Sequence, residues 1–497
     1  MKTFSKSKKA LSVILSAVIV MLTMVPMFAT ANEKNYIITN PYEEIDWDTW
    51  GDYKTQLHCH TNASDGFLTI DEFVRIHYAA NFDIVALTDH GTINQGWNNE
   101  PELVPLMRLI KKERTNMADV IPIPQDEYEA YLDGTNDNIT YTTKDGYTLT
   151  RTHENGMLDV PKGIELNMAT PIADCHLTGY FSDYGQGLAG VFGDYETPSK
   201  GVMDAGGISY LSHVGEYVYT DKDSEKYVGL PVDDYYATKF ARLFLDYQGS
   251  SLGMGINSAT DAHTRCDRIL YDQVLQKTIP NGVVPWGNTF ADSHNENAVN
   301  DAYTMCWMPE LTLEAFRECQ EKGQYFSISH YSNGVELNGM EEMPGFVEQD
   351  VYDTKAYWLD NTPAVTRITV NQDADTITVE AENANIITWV SDGNVIKREE
   401  LKDGKATLDL HNDELLQDPY LYVRFYISGD NGICYAQPMV LNVEGEEFAP
   451  VTVPETHDIS TFLRSLVTVV DALFFKFNPI IWMFKYFALG YDPIERL

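Results

Sequence analysis

The chain has 497 residues, of which 44% are hydrophobic and 22% charged, the composition of a globular protein rather than a disordered or fibrous one. This length predicts two or three domains. The formal net charge of −39 excludes nucleic-acid backbones and anionic lipids as partners of the folded body, because both would be repelled. A phosphate group could bind only where local positive charge, above all from metal ions, offsets this field.

Residues 1–31 have the three parts of a secretory signal peptide. Four lysines precede a long apolar run, and Ala29-Thr30-Ala31 supplies the small residues that a signal peptidase requires. An uncleaved signal anchor is the alternative, because the apolar run is long. Both interpretations predict a secreted or cell-surface protein. Cleavage would remove the four lysines and take the net charge from −39 to −43.

Residues 32–345 have the pattern of a β/α barrel, in which short apolar strands alternate with helical segments. One helix is predicted to begin at Thr69, where Thr69 and Glu72 form a capping box. Each apolar strand segment is followed by polar residues. In a β/α barrel the C-terminal ends of all strands lie at the same end of the barrel, so these polar residues would lie close together. The strand segments are "FDIVALTDH" (82–90), "GIEL" (163–166), "CHLTGYF" (175–181), "GGISYLSH" (206–213) and "VPWGNTFADSH" (284–294).

The rest of the chain divides by composition into an insertion, two linkers, a second domain and a tail. Residues of about 117–160 are polar and rich in turn formers, which predicts an inserted β-hairpin. A linker at 346–362 leads to short alternating strands at 363–447, which predict a small all-β sandwich. A second linker at 448–458 precedes the apolar tail 459–497, predicted to be helical and to contact a membrane interface or the protein's own surface.

The segment "KTQLHCHTNASDG" (54–66) places two histidines one residue apart. In an extended strand His58 and His60 point to the same face, where two neutral imidazoles could share a cation. A polar pair without a ligand is the alternative for this segment alone. The same kinds of donor recur after the later strands, however, and a barrel would bring them together. The full set is His58, His60, Asp65, His90, Glu165, His176, His213, Asp292 and His294, with Asp89 beside them as a supporting carboxylate.

These segments resemble successive motifs of the PHP (polymerase and histidinol phosphatase) family of metal-dependent phosphoesterases, across residues 51–333. The resemblance implies a distorted (β/α)7 barrel with two or three divalent ions. It implies that His58, His60, Glu165 and Asp292 hold one ion, and that Glu165 bridges to a second held by His176 and His213. It further implies that Asp65, His90 and His294 hold a third, and that the catalytic residues are Glu165, Asp292 and His294.

The chain departs from the family pattern at three positions that are not ligands. Gln56 replaces the usual aspartate before the first histidine, Val214 replaces a proline, and Gly91 replaces an aspartate. A second Asp-x-His, Asp261 and His263, competes with Asp292 and His294, but it precedes a helix-like segment rather than ending a strand. The other histidines are interpreted as structural or solvated, and the basic residues that could bind phosphate are Lys162, Arg265 and Arg268.

The sequence therefore predicts an exported phosphoesterase that acts on a small phosphorylated substrate through two or three ions of zinc, manganese or iron. Two alternatives remain open at this stage. One is a metallohydrolase of an amide or ester bond, because such sites on barrels serve several reactions. The other is a non-catalytic surface-binding protein in which the metal cluster is structural. A panel of phosphate and acyl substrates separates the three.

Overall fold

The computed structural model describes residues 35–103, 119–170, 173–185, 195–217, 231–257, 266–330, 358, 361–412 and 414–455. The predicted signal peptide, the C-terminal tail, most of the 346–362 linker and the Asp261/His263 pair lie outside these residues. Within the described residues, no helix combines the length and the hydropathy needed to cross a membrane.

The protein is mixed α/β, with many strands and few helices, as the sequence predicts. The helices are α1 (Ile70–Ala79), α2 (Gln125–Asp133), α3 (Glu196–Asp204), α4 (Asp234–Asp246), α5 (Asp267–Thr278) and α6 (Leu313–Lys322). The strands of the N-terminal two thirds are β1 (Tyr36–Thr39), β2 (Gly51–Gln56), β3 (Ile84–Val85), β4 (Thr92–Ile93), β5 (Glu102–Leu103), β6 (Thr140–Thr142), β7 (Thr148–Thr150), β8 (Leu158–Asp159), β9 (Ile164–Thr170), β10 (Ala173–Tyr180), β11 (Ile208–Leu211), β12 (Ser251–Gly255), β13 (Trp286–Asn288), β14 (Ala302–Met308) and β15 (Tyr325–Ser329). The later strands are β16 (Ala364–Asn371), β17 (Thr376–Glu382), β18 (Ile386–Ser391), β19 (Asn394–Glu400), β20 (Lys405–Asp409), β21 (Tyr422–Gly429), β22 (Gly432–Tyr435) and β23 (Met439–Val443).

The predicted barrel region consists of parts of two sheets. In one, β2, β3 and β8 are parallel neighbours, and β14 and β15 continue the sheet with antiparallel pairing. In the other, the order is β13-β12-β11-β10-β9, and β11, β12 and β13 are parallel. Among the described residues no closed ring of strands is seen, so the (β/α)7 barrel is not shown. Two isolated bridges, Cys59 with Ser293 and His90 with Glu165, connect the sheets.

The expectation that every candidate residue follows the end of a parallel strand is wrong for two of them. Strands β9 and β10 pair in an antiparallel hairpin, in which Glu165 lies opposite Thr178. Glu165 is the second residue of β9, and His176 lies within β10. A hairpin reverses the chain direction, and this brings a residue from the start of one strand beside one from the interior of the next.

The predicted insertion contains a hairpin, β6–β7, and also the helix α2, which the sequence pattern did not indicate. The capping box at Thr69 and Glu72 is present and begins α1, as predicted. The face of α1 that includes Phe73, Val74 and Ile76 is fully buried in the main apolar core. The core thus fixes α1 directly after the loop that carries Asp65.

The C-terminal strands pack directly onto the barrel region. β22 pairs with β15, so the strands β18, β19, β21, β22 and β23 extend the first sheet, whereas β16, β17 and β20 form a separate one. Strand β1, near the N-terminus, pairs with β23. A buried ion pair also connects the two regions: Arg424 donates to both carboxylate oxygens of Asp272 on α5, at 2.8 and 2.6 Å. The domain boundaries drawn from composition stay a prediction.

Candidate metal centre

All nine candidate ligands predicted from the sequence lie together at one place in the structure. Their ligand atoms form three overlapping groups, within each of which the atoms lie within 4.8 Å of one another. These are the groups implied by the family resemblance, with His60 added to the third. Group A is His58, His60, Glu165 and Asp292; group B is Glu165, His176 and His213; group C is His60, Asp65, His90 and His294.

Glu165 is the centre of this arrangement, and its side chain is fully buried. Its Oε1 atom lies 2.6 Å from Nδ1 of His176 and 3.6 Å from Nε2 of both His58 and His213. Its Oε2 atom lies 2.8 Å from Nδ1 of His90 and 3.2 Å from Nε2 of His60. One carboxylate therefore faces five imidazoles, and its two oxygens could serve two neighbouring cations.

The chain that follows β2 carries His58 and His60, and it is fixed by the loop that carries Asp292 and His294. Cys59 forms an isolated parallel bridge with Ser293, and the His60 amide donates to the Ser293 carbonyl at 2.9 Å. This places Nε2 of His60 3.0 Å from Oδ1 of Asp292. Asp65 completes the third group, with its carboxylate 3.5 Å from Nε2 of both His90 and His294.

Hydroxyl groups behind the histidines determine which ring nitrogen carries the proton. Oγ1 of Thr88 lies 2.9 Å from Nδ1 of His58, accepts from the Cys59 amide at 2.9 Å and donates to the Cys59 carbonyl at 3.1 Å. Because its one proton goes to that carbonyl, the hydroxyl accepts from Nδ1–H of His58. The lone pair of His58 is then on Nε2, which points at Glu165.

His60 and His294 also have a hydrogen-bond partner at Nδ1. Ser64 donates its hydroxyl proton to Asp89 at 2.7 Å, so its oxygen accepts from Nδ1 of His60, 3.3 Å away. Nδ1 of His294 donates to the Asp292 carbonyl at 2.9 Å. In the neutral form of each ring the proton is therefore on Nδ1 and Nε2 is free, which is the form that binds a metal.

Asp89 supports the site from behind, as the sequence predicted. Its carboxylate is fully buried and accepts from the Thr61 amide at 2.7 Å, from the Thr61 hydroxyl at 2.9 Å and from Ser64 at 2.7 Å. It thereby fixes the turn between His60 and Asp65. Sequence reasoning missed the hydroxyls of Thr61, Ser64 and Thr88; their position within the "HCHTNAS" and "LTDH" segments is the signal that could have identified them.

The imidazoles and carboxylates determine each other's charge. Burial would raise the pKa of Glu165, but His90, His176 and His58 hold it well below its usual value. Burial lowers the pKa of His58 to about 3. Burial acts in the same direction on His60, but the adjacent carboxylates of Asp292 and Glu165 raise its pKa to about 10. Glu165 is therefore ionised at neutral pH, and the proton that His60 binds in the absence of a metal is the one that a bound cation would replace.

The backbone of the site is constrained at positions where only certain residues fit. His213 has φ 27° and Asp292 has φ 47°, a region that residues other than glycine rarely adopt and that costs ~1–3 kcal/mol. A Cβ on Gly66 would lie 2.2 Å from the His60 carbonyl oxygen, and a Cβ on Gly163 2.1 Å from that of Leu87. Both glycines thus permit the close chain approach that positions Asp65 and Glu165.

Several buried polar atoms of the site are arranged as a metal ion would require. Within the described residues, Nε2 of His58, Nε2 of His60, both oxygens of Glu165 and Oδ1 of Asp292 are buried without a hydrogen-bond partner. Leaving buried polar atoms unsatisfied is costly, and a cation among them would satisfy all of them at once. Imidazole nitrogen and carboxylate oxygen are also the donors that zinc, manganese and iron accept.

The remaining candidates lie elsewhere or have other partners. Arg268 is buried and donates to Oδ1 of Asn257 at 3.0 Å and to the Tyr435 hydroxyl at 3.1 Å. Lys162 forms an ion pair with Asp183, with Nζ 2.5 Å from Oδ1. Arg265 lies outside the described residues, as does His457. Of the other described histidines, His77 contacts the Phe73 carbonyl, His153 pairs with Asp83, and His411 pairs with Asp375, whereas His330 is buried.

No protein-family model and no curated protein matches the sequence. Among solved structures, one match is a two-domain protein from Bacteroides vulgatus that contains a predicted PHP-like metal-dependent phosphoesterase. It is 14% identical to this chain, the match covers 82% of this chain and 99% of that one, and the TM-score is 0.36. An amidohydrolase from Chromobacterium violaceum (13% identity) and a metal-dependent phosphoesterase from Bifidobacterium adolescentis (12%) each cover 48% of this chain and 87% of their own, with TM-scores of 0.26.

Proposed function

We propose that the chain is an exported metal-dependent hydrolase that cleaves phosphate esters with the help of two or three divalent ions. The observation that carries the proposal is the set of three overlapping donor groups that share Glu165 and His60. A single structural ion would need only one such group. Adjacent groups that share a carboxylate are typical of hydrolytic sites with more than one metal.

The donor groups differ in their access to solvent, and this supports a catalytic rather than a structural role. His58, His60 and Glu165 are fully buried. Asp65 and His294 have side chains that are 28% and 30% exposed, and His176 is 20% exposed. One side of the cluster is therefore open to a substrate, whereas a closed site would be expected for a structural metal.

Each part of the chain has a role in the proposed reaction. The ions would supply an acidified water as nucleophile and would neutralise charge that develops on the phosphate oxygens. Glu165 and Asp292 would hold the cations in position, and Thr88 and Ser64 would keep His58 and His60 in the tautomer with a free Nε2. When two ions occupy groups A and B, Nε2 of His294, the most exposed of the nine side chains, is left to exchange a proton with the departing oxygen.

The charge distribution of the protein and its proposed metal ions favours a phosphate ester as the substrate. The chain carries a net charge of −39, so an anionic substrate would approach against repulsion from most of the surface. A cluster of cations would reverse that field locally and select for an anionic reactive group. A neutral amide or ester would gain less from the same arrangement. Zinc, manganese and iron all suit the nitrogen and oxygen donors, and export is proposed from the N-terminal segment alone.

The proposal is tested with a substrate panel and one substitution. The metal-loaded protein would be assayed with p-nitrophenyl phosphate, bis-p-nitrophenyl phosphate and p-nitrophenyl acetate in the presence of Mn²⁺ or Zn²⁺. We expect turnover of a phosphate ester in preference to the acetate. Glu165→Gln keeps the size of the side chain but removes the shared charge, and it should lower kcat/KM by at least ~10³-fold, about the loss of a principal transition-state interaction.

The matched control is Glu380→Gln, which makes the same change at a partly exposed glutamate that pairs with Lys405 in the C-terminal region. It should leave kcat/KM unchanged. Preferential turnover of the acetate would support the acyl alternative. A metal-loaded protein that hydrolyses nothing in the panel, or a fully active Glu165→Gln, would contradict the proposal.

A further inference from the structure

The inserted hairpin β6–β7 is attached to the loop that carries Asp292 and His294. Glu296, two residues beyond His294, is 3% exposed. Its Oε2 atom accepts from the Tyr141 hydroxyl at 3.0 Å, and its Oε1 atom accepts from the Lys144 amide at 2.6 Å. Both donors come from the hairpin, so a buried carboxylate fixes the hairpin tip at this loop.

The other end of the hairpin is also held in place. Arg151, which follows β7, is buried and donates to the carbonyls of Tyr78 and Phe82 at 3.1 and 2.9 Å. The same guanidinium lies 3.3 Å from Oδ1 of Asp83. With one end fixed at the C-terminal part of α1 and the tip fixed at Glu296, the hairpin presents its turn residues at a defined position.

Lys144 is one of these turn residues, and its side chain is exposed. No ion pair to its ammonium group is formed by the described part of the chain. The path from the Lys144 amide through the Glu296 side chain and two residues of chain to Cα of His294 spans at most ~15 Å. Lys144 is therefore close enough to this loop for an extended lysine side chain to approach a substrate that projects from the exposed side of the metal centre, near Asp65 and His294.

We propose that Lys144 is a substrate-binding residue, which contacts an anionic oxygen of the phosphorylated substrate at the edge of the metal centre. This assignment rests on the proposed function. It adds Lys144 to the basic residues suggested by the sequence, of which Arg268 and Lys162 are engaged with other groups and Arg265 lies outside the described residues. A lysine outside the cation cluster would contribute to binding rather than to the chemical step, since it meets the same charge in the ground state and in the transition state.

The test compares Lys144→Gln, Lys144→Arg and the control Lys405→Gln, which changes a lysine paired with Glu380 on another sheet. Steady-state kinetics with p-nitrophenyl phosphate and calorimetric binding of inorganic phosphate would be measured on the same Mn²⁺-loaded preparations. Lys144→Gln should raise both KM and the phosphate Kd by roughly five- to tenfold, the effect of one partly solvated charge pair, with kcat within about twofold. Lys144→Arg should restore both values, and the control should change neither.

The outcomes separate this inference from the proposed function. Equal KM and phosphate Kd in wild type and Lys144→Gln would overturn the role of Lys144 while leaving the phosphoesterase proposal in place. Phosphate binding that depends on Lys144, without turnover of any ester, would support Lys144 and contradict the proposed reaction. Failure of the metal-loaded wild type to bind phosphate would overturn both.

Discussion

Replacement of Thr88 by valine tests whether the hydrogen bonds behind the histidines prepare the site for metal. Valine has the shape of threonine but no hydroxyl. The substitution removes three contacts of Oγ1, one with Nδ1 of His58 at 2.9 Å and two with the backbone of Cys59. Two buried donors, the His58 ring N–H and the Cys59 amide, then lack an acceptor, whereas the Cys59 carbonyl keeps the Thr88 amide.

The expected magnitudes follow from these contacts. A net contribution of about 1 kcal/mol per hydrogen bond, with a further penalty for unsatisfied buried donors, gives a loss of ~2–4 kcal/mol in the free energy of unfolding. Without an acceptor at Nδ1, His58 no longer prefers the tautomer that has a free Nε2. Loss of such a supporting contact typically weakens metal binding 10- to 100-fold, and we expect a change of about this size in the metal Kd.

Thr88→Ser is the matched control, because it keeps the hydroxyl and removes one methyl group, at a cost of ~1 kcal/mol in stability. The assay is calorimetric titration of the demetallated proteins with Mn²⁺ and Zn²⁺, with chemical unfolding measured in parallel. We expect the valine variant to bind more weakly than the serine variant. Equal metal affinity in folded Thr88→Val and Thr88→Ser would refute the tautomer assignment.

Two further predictions concern the backbone and a buried acid. Gly163→Ala should weaken metal binding and destabilise the fold, because its Cβ would lie 2.1 Å from the Leu87 carbonyl oxygen and displace the strand that carries Glu165. The comparison is Gly146→Ala, whose Cβ would meet nothing within 4 Å but whose φ of 83° strains an alanine; it should lower stability and leave metal affinity unchanged, as measured by melting and titration. Burial raises the pKa of Asp159 to about 7, so its protonated form stabilises the fold at low pH and that stability is lost as the pH rises from about 3.8 to about 7. The free energy of unfolding of Asp159→Asn should therefore increase relative to that of the wild type over this pH range, by ~4 kcal/mol at most. A difference between the two free energies that does not change with pH would contradict this prediction.

The candidate site was largely predictable because its residues have local signatures. His58 and His60 share a strand face, and donors such as His213 and Asp292 follow apolar segments. What could not be predicted is how the backbone achieves this. Positive φ at His213 and Asp292 depends on contacts that form only in the folded protein, and no spacing rule indicates it.

The fold was harder to predict from the sequence than the site. Capping at Thr69 and the Asp-Gly turns at 392–393 and 403–404 are local, and both turns have positive φ at each residue, as a tight hairpin requires. The pairing of β1 with β23 and of β15 with β22 joins segments far apart in the chain, where one alternating strand fits many neighbours equally well. The antiparallel pairing of β9 with β10 was missed because a strand–helix alternation was assumed throughout.

The metal content of the purified full-length protein tests the central claim most directly. Elemental analysis after dialysis against Mn²⁺, Zn²⁺ or Fe²⁺ should find two or three equivalents per chain, because three donor groups overlap at Glu165 and His60. The Glu165→Gln variant, folded by the criterion of an unchanged circular dichroism spectrum, should retain at most one. A wild-type protein that takes up none of these metals, or a variant that binds as many ions as the wild type, would contradict the claim.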